Sequence, residues 1–377
     1  MTRRDKGEGS LFQLPDGRWC VRINVTLANG EIKRLETRKK DRATAKAQLE
    51  EWRDLNKKRL PFSEENWTVE TYMLHWLEEI MPGKIRPRTM HRYRDIAYRH
   101  IIPNIGRIPL KDLGVRHVQS TVDDLARRGV SPNGTLKFQR VLSACLTWAM
   151  REEIIFRNVA QLVELPKYSP KEIIPWTAQQ AQFFLRKTKG HRFHIAYKLM
   201  LTYGIREGEI LGLRWSDIDF SNDIIYIRQQ VYWLNCAFHA DEVKTDAGRR
   251  SLSLIPEIKQ ELLAIAAQKG IDIPAFDPEG SLTMDNLILA TCKNTPISAR
   301  NLMRSFHNHI NQAGLPRITI HTMRHTTATL LKNMNVPVKD VQLILGHADI
   351  STTLKIYQHG DEDAKRSALV ALGAALS

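Results

Sequence analysis

The sequence predicts a mainly α-helical, multidomain chain with small β elements, and three observations carry that expectation. Apolar residues recur at i, i+3, i+4 and i+7 over most of the 377 residues, the spacing that gathers them on one helix face. Period-two alternation with turn dipeptides is confined to residues 1–60 and to an insert near 223–254, which reads as small sheets. Two breaks, at 62–66 and at the proline-rich 166–175, divide the chain into domains at 1–60, 66–165 and 172–377.

The formal net charge of +15 points to a polyanionic partner, most simply nucleic acid, although a basic chain without one has the same composition. Cys20, Cys145, Cys236 and Cys292 form no CxxC pair. That spacing suggests neither a zinc site nor a disulfide framework, and predicts small buried side chains in a reducing compartment. No apolar run approaches the ~20 residues of a membrane span, and no signal-peptide pattern precedes Leu11. The expectation is a cytoplasmic protein with no membrane partner.

Residues 1–60 carry 16 Lys and Arg against 9 Asp and Glu. Asp16-Gly17 and Asn29-Gly30 are hairpin dipeptides, because both central residues of a type I′ turn need positive φ. They separate strands at 11–14, 19–27 and 32–37, a three-stranded meander. A helix over 41–57 turns Ala43, Ala47, Leu49 and Trp52 toward it. Arg18, Arg22, Lys33, Arg34 and Arg38 stand on this unit, whose β-face can enter a DNA major groove. The same charges also suit a merely solvated domain.

From 66 to 165 the pattern is helical. Thr68 caps a helix whose apolar side is Val69, Tyr72, Met73, Trp76, Leu77 and Ile80, stopped by Pro82-Gly83. Helices follow at about 88–101, 115–128 and 135–153. Arg86, Arg88, Thr89 and Arg92 surround the start of the first of these, on a face that meets either water or phosphates.

The region 172–377 is mostly helical with a β-hairpin insertion, and it concentrates the chemistry. GIREGEILGLRWSDID (204–219) puts Arg206 between an apolar helix ending at Gly204 and the next helix at 207–213. An arginine in apolar surroundings is costly without an anion. Its partner is either an outside anion or an internal carboxylate, Glu209 or Asp217. Strands are expected at 223–230, 230–233 and 249–254, with Lys244 of VKTDAGRR at a hairpin tip. The stretch 317–357, RITIHTMRHTTATLLKNMNVPVKDVQLILGHADISTTLKIY, sets His321 and Arg324 on one helix face. His325, turned about 100° away, is expected to pack inside. Gly346 reads as a left-handed C-cap for a helix at 338–345, with His347 exposed at its end. Tyr357 follows a turn capped by Ser351, and read alone is either a core anchor or a nucleophile.

These stretches resemble the signature of the tyrosine recombinase (phage integrase) family: an arginine box, a lysine hairpin of the KTxxGRR kind, HxxRH, a GH pair and a tyrosine. The resemblance implies a site-specific recombinase of the integrase type. Residues 1–60 would bind arm-type DNA, 66–165 would be the helical, SAM-like core-binding domain, and 172–377 the catalytic domain with its tail. It implies that Arg206 and Arg324 hold non-bridging phosphate oxygens, and that His347 hydrogen-bonds the phosphate. His321 would donate to the phosphate or take the tyrosine proton. Lys244 would protonate the departing 5′ oxygen, and Tyr357 would attack to give a 3′-phosphotyrosyl link, with Glu209 and Asp217 bracing the arginines. No ATP, metal or other cofactor is implied.

The implied partners are double-stranded DNA attachment sites of core and arm type, a homo-tetramer of protomers, a DNA-bending accessory protein and an excision factor. The tail, with Leu369, Val370, Leu372 and Leu376, would dock on a neighbouring protomer or on its own. Two other readings stay open: a type IB topoisomerase-like nicking-closing enzyme, and a non-catalytic DNA-binding regulator.

Overall fold

The protein is described by a computed structural model over residues 9–26, 32–57, 67–168, 173–243 and 246–357, with tail positions 366, 370, 373 and 374. The chain divides into two compact units, Met1–Pro170 and Lys171–Ser377.

The first unit opens with β1 (Ser10–Gln13), β2 (Trp19–Thr26) and β3 (Ile32–Lys39), an antiparallel sheet in that order. Helix α1 (Arg42–Lys57) packs Ala45 and Leu49 on Val21 and Ile23. Asp41 caps it through the Thr44 N–H, at 2.9 Å. The expected two-residue turn at Asp16-Gly17 is longer: only Gly17 takes positive φ (83°), and the Leu14 N–H closes onto the Arg18 carbonyl. The Asn29-Gly30 turn lies outside the described residues.

A separate apolar cluster holds the helical part of the unit together. Its elements are α2 (Val69–His75), α3 (Pro87–Ile96), α4 (Ile102–Ile105), α5 (Val115–Arg127) and α6 (Pro132–Arg151). Thr68 caps α2 through the Thr71 N–H. Helices α2 and α3 each run on into a wider π turn, 76–80 and 97–101, and Trp76 stacks on Tyr93 with centroids 5.6 Å apart. Helix α6 starts earlier than its apolar stripe, because Ser131 caps it and Pro132 is its first residue.

The second unit runs α7 (Ala178–Thr188), α8 (His194–Tyr203), α9 (Glu207–Gly212), β4 (Ile218–Asp219), β5 (Ile224–Ile227), β6 (Gln229–Leu234), β7 (Ala237–Glu242) and β8 (Arg250–Ser253). It continues with α10 (Pro256–Lys269), α11 (Ala299–Ala313), α12 (Ile320–Asn333), α13 (Val338–Leu345) and α14 (Ile350–Tyr357). Trp176, Phe184, Tyr197 and Phe306 form an aromatic knot in its core. Strands β4, β5 and β8 make one antiparallel sheet and β6–β7 a separate hairpin, so among the described residues the insert at 223–254 holds β5 to β8, one strand more than its alternation suggests. The β6–β7 turn is Asn235-Cys236, both at positive φ (49° and 61°). Cys236, in that turn, and Cys292 are exposed, contrary to expectation, whereas Cys20 and Cys145 are buried.

Candidate active site

Three backbone terminations bring the candidate side chains together. Gly204 ends α8 in the left-handed region (φ 64°), packed against Leu345, and its carbonyl accepts from Arg324 Nη1 at 2.7 Å. Arg206 is the N-cap of α9, and Glu209, in the first turn, accepts both its backbone N–H and its Nη1. Gly346 ends α13 in the left-handed region (φ 66°), and its carbonyl accepts from Arg206 Nη2 at 2.7 Å. Helix α12, capped by Thr319, carries His321, Arg324 and His325.

Arg206, His321, Arg324, His325 and His347 line one pocket of about 320 Å³. A larger cleft, about 690 Å³ against α11, holds none of them. Arg324 is 4% exposed, and among the described residues it has no carboxylate partner and its Nη2 has no hydrogen-bond partner. Burial, then Arg206 and Arg250, push its guanidinium down to about 9, so it stays charged at neutral pH. A buried cation with an unpaired donor is the feature an anion would complete.

His347 is half-buried, not exposed as its place at a helix end suggests. Its Nε2 accepts from Arg324 Nε at 3.3 Å, which leaves Nδ1–H to donate to the buried Thr353 hydroxyl at 2.9 Å. Burial, then Arg324 and Arg206, lower its pKa to about 3, so it is neutral and able to accept. The His321 ring meets His325 edge-on at 5.2 Å, and both are lowered by desolvation and then by cationic neighbours. His325 was expected inside; its ring instead lines the pocket, since i and i+4 share a helix face.

The two carboxylates part company. Glu209, 3% exposed, lies between Arg206 and Arg250; burial opposes its ionisation, but the two guanidiniums outweigh it and hold its pKa below the usual range. Asp217 does not brace Arg206. It is buried against Arg214, accepting from its N–H, Nε and Nη2, because the turn at 215–217 folds back on Arg214. Sequence reading does not single out Arg250, which follows Arg249 in the GRR of the hairpin. The available signal is a second arginine beside an apolar strand, needing an acid to be buried.

Tyr357 is not brought to the pocket. Its phenol donates to the Val336 carbonyl at 2.8 Å, its ring packs against Ala328, Val341 and Leu345, and burial raises its pKa. Ser351 does not cap α14; Asp349 does, accepting from the Ser351 N–H at 2.8 Å and its hydroxyl at 2.7 Å. Lys244 and the Lys33 side chain lie outside the described residues, as does nearly all of the tail. On the sheet, Arg22 and Arg38 both bond Glu36, and Arg18 bonds Asp16; Arg34 is exposed. Arg86, Arg88 and Arg92 are exposed on the bundle and Thr89 is half-buried.

Among the described residues, no helix is long and apolar enough to cross a membrane. The family model described as the phage integrase family matches residues 177–363, and the N-terminal SAM-like domain of phage integrases matches 68–126. The chain is 25% identical to the XerC-like tyrosine recombinase of Caldanaerobacter subterraneus subsp. tengcongensis, over 95% of this chain and 96% of that one. The Tn1549 transposon integrase in complex with transposon right end DNA superposes with a TM-score of 0.69 at 22% identity, over 81% of this chain and 99% of that one. A lambda integrase tetramer bound to a Holliday junction gives 0.59 at 17%, over 94% and 96%. The chain belongs to the phage integrase family of tyrosine recombinases, enzymes that cleave and rejoin DNA strands.

Proposed function

We propose that the protein integrates and excises a mobile element by site-specific recombination through a 3′-phosphotyrosyl intermediate. The observation that carries this is the pocket in which Arg206, Arg324 and three histidines meet, with Arg324 Nη2 unpaired among the described residues. A scissile phosphate placed there completes the arginine's hydrogen bonds. The two guanidiniums then neutralise charge that grows as the phosphorus becomes five-coordinate.

In this reading the neutral His321 takes the proton of Tyr357 as the phenolic oxygen attacks phosphorus. The P–O bond to the 5′ carbon of the next nucleotide breaks, and Lys244 supplies the proton to that oxygen. His347 holds Arg324 by accepting from its Nε. Glu209 braces Arg206, while Asp217 has no part in the site. Residues 1–60, with Arg18, Arg22, Lys33, Arg34 and Arg38, bind arm-type sites, and Arg86, Arg88, Thr89 and Arg92 contact phosphates of the core site. Four protomers assemble on two duplexes, a reading supported by the lambda integrase tetramer bound to a Holliday junction. A DNA-bending protein and an excision factor complete the assembly.

The test is covalent trapping. Wild type and Tyr357→Phe are mixed with nicked duplexes from the element's own attachment region, denatured and run on a gel. An adduct in wild type alone supports the reading. An adduct in both moves the nucleophile elsewhere, and binding without any adduct across the whole region removes the catalytic reading.

A further inference from the structure

We propose that Arg250 is a positioning residue for strand cleavage, acting through Arg206 and through the end of α13 that carries His347. The inference rests on the function proposed above, in that Arg206 is taken to hold the scissile phosphate.

Its guanidinium is 5% exposed and does not line the pocket. Nε donates to the Ile344 carbonyl at 2.8 Å, Nη2 to Glu209 Oε2 at 2.9 Å, and Nη1 to the Gly248 carbonyl at 3.2 Å. The three acceptors belong to the last turn of α13, the first turn of α9 and the turn before β8. Glu209 uses its other oxygen for Arg206 Nη1, and Arg206 Nη2 returns to the Gly346 carbonyl. The bonds therefore close a ring: Arg206, Glu209, Arg250, the α13 end, and Arg206 again.

Packing reinforces the ring. A Cβ at Gly346 would lie 2.6 Å from the Ala247 carbonyl and 3.0 Å from both Cδ and Nη1 of Arg250. Residues 344–346 thus rest on Arg250, and His347 is the next residue along. The ring also divides Glu209 between two cations. The Arg206 side chain is 37% exposed, so burial does not hold it in one rotamer. With Arg250 gone, Arg206 is the one ion-pair partner left to Glu209 among the described residues, which pulls it toward that carboxylate and away from both the Gly346 carbonyl and any phosphate.

Methylphosphonate DNA tests this directly. It replaces one charged non-bridging oxygen by a methyl group, so the neutral ester has little need of the arginine that neutralises that oxygen. The nicked duplex that traps wild-type adduct is made with a phosphate or a methylphosphonate at the scissile position, and adduct formation is timed for wild type, Arg250→Met, Arg250→Lys, Arg206→Met and the double variant with both Arg206→Met and Arg250→Met. Arg250→Met is expected to slow cleavage of the phosphate by about 10²-fold, the size of effect that a 1 Å misplacement produces. On the methylphosphonate its loss should be small, as for Arg206→Met, and Arg250→Lys should fall between. The double variant should lose no more than Arg206→Met alone, since both changes act on one group. Both substrates see the same folded fraction, so partial unfolding does not alter their ratio. Equal losses on the two substrates, or additive losses in the double variant, overturn the proposal and leave Arg250 a strut of the fold. Failure of the underlying reading shows separately, as a wild-type adduct that survives Tyr357→Phe.

Discussion

The phenol of Tyr357 donates to the backbone carbonyl of Val336 at 2.8 Å, and its ring packs against Ala328, Val341 and Leu345. The oxygen proposed as nucleophile is thus engaged away from the pocket lined by Arg206 and Arg324. Attack requires that this bond break and that α14, whose first turn is held by Asp349, shift or unwind. Raised by burial, the phenol resists ionisation until it leaves its apolar seat.

Tyr357→Phe should therefore lower the stability of the free protein by about 1 kcal/mol, the net worth of one hydrogen bond whose acceptor is left behind. Chemical denaturation without DNA measures it. The difference in ultraviolet titration between wild type and variant should show one phenol ionising above pH 10. A variant as stable as wild type, or a difference phenol ionising below that, would place the hydroxyl somewhere other than on Val336.

Arg324→Met should separate stability from activity. The change removes a buried cation with one unpaired donor, at the loss of the bonds to Gly204 and His347. Replacing buried charged groups by well-packed apolar side chains of similar volume is often neutral or stabilising. Adduct formation should fall by about 10²–10³-fold, as when a transition-state donor is removed. A melting temperature several degrees lower would mean that the guanidinium is chiefly a structural strut.

The helical fold was legible because Thr68 and Gly346 mark helix ends by local chemistry, and apolar spacing does the rest. The pocket was legible in part: Arg206, His321, Arg324 and His347 are named by their resemblance to the family's signature, with helix spacing adding only that His321 and Arg324 share a face and that His347 follows a helix end, and all four line one pocket. What could not be read was tertiary pairing. Nothing in GRR says that Arg250 reaches Glu209, more than forty positions earlier, as it does in the salt bridge between them. Asp217 stands eleven positions from Arg206 yet folds onto Arg214, because a short 3-10 turn brings it back on its own N-cap. His325 shows the limit of angular reasoning: 100° from Arg324 still leaves it one turn from His321, on the same side of α12.

The histidines give stability a definite pH slope. Burial, then Arg324, Arg206, His325 and His321, hold His347 down at about 3. An unfolded histidine takes its proton near 6.5. Between those values the unfolded chain binds more protons than the folded one, so this group's contribution is intact above about pH 6.5 and is lost as pH falls toward 3. His321 and His325, also lowered, add in the same direction. His347→Asn should flatten the slope between pH 7 and 5, read as the change in denaturation midpoint. An unchanged slope would mean that His347 protonates as readily folded as unfolded.

Gly346→Ala should harm both fold and function, and Gly270→Ala supplies the control. Both glycines end helices in the left-handed region, at φ 66° and 61°. An alanine there carries backbone strain of about 1–3 kcal/mol. At Gly270 a Cβ meets nothing within 4 Å, whereas at Gly346 it meets the Ala247 carbonyl at 2.6 Å. Backbone atoms cannot rotate aside, so the α13 end must move off the turn at 246–248. That motion shifts the Gly346 carbonyl, which accepts from Arg206, and carries His347 with it. Gly270→Ala should thus lose stability while cleaving DNA at the wild-type rate per folded molecule. Gly346→Ala should lose more stability and also cleave more slowly. Equal stability losses with unimpaired cleavage in both would show that the turn yields to the added methyl and that the approach at Gly346 is not tight.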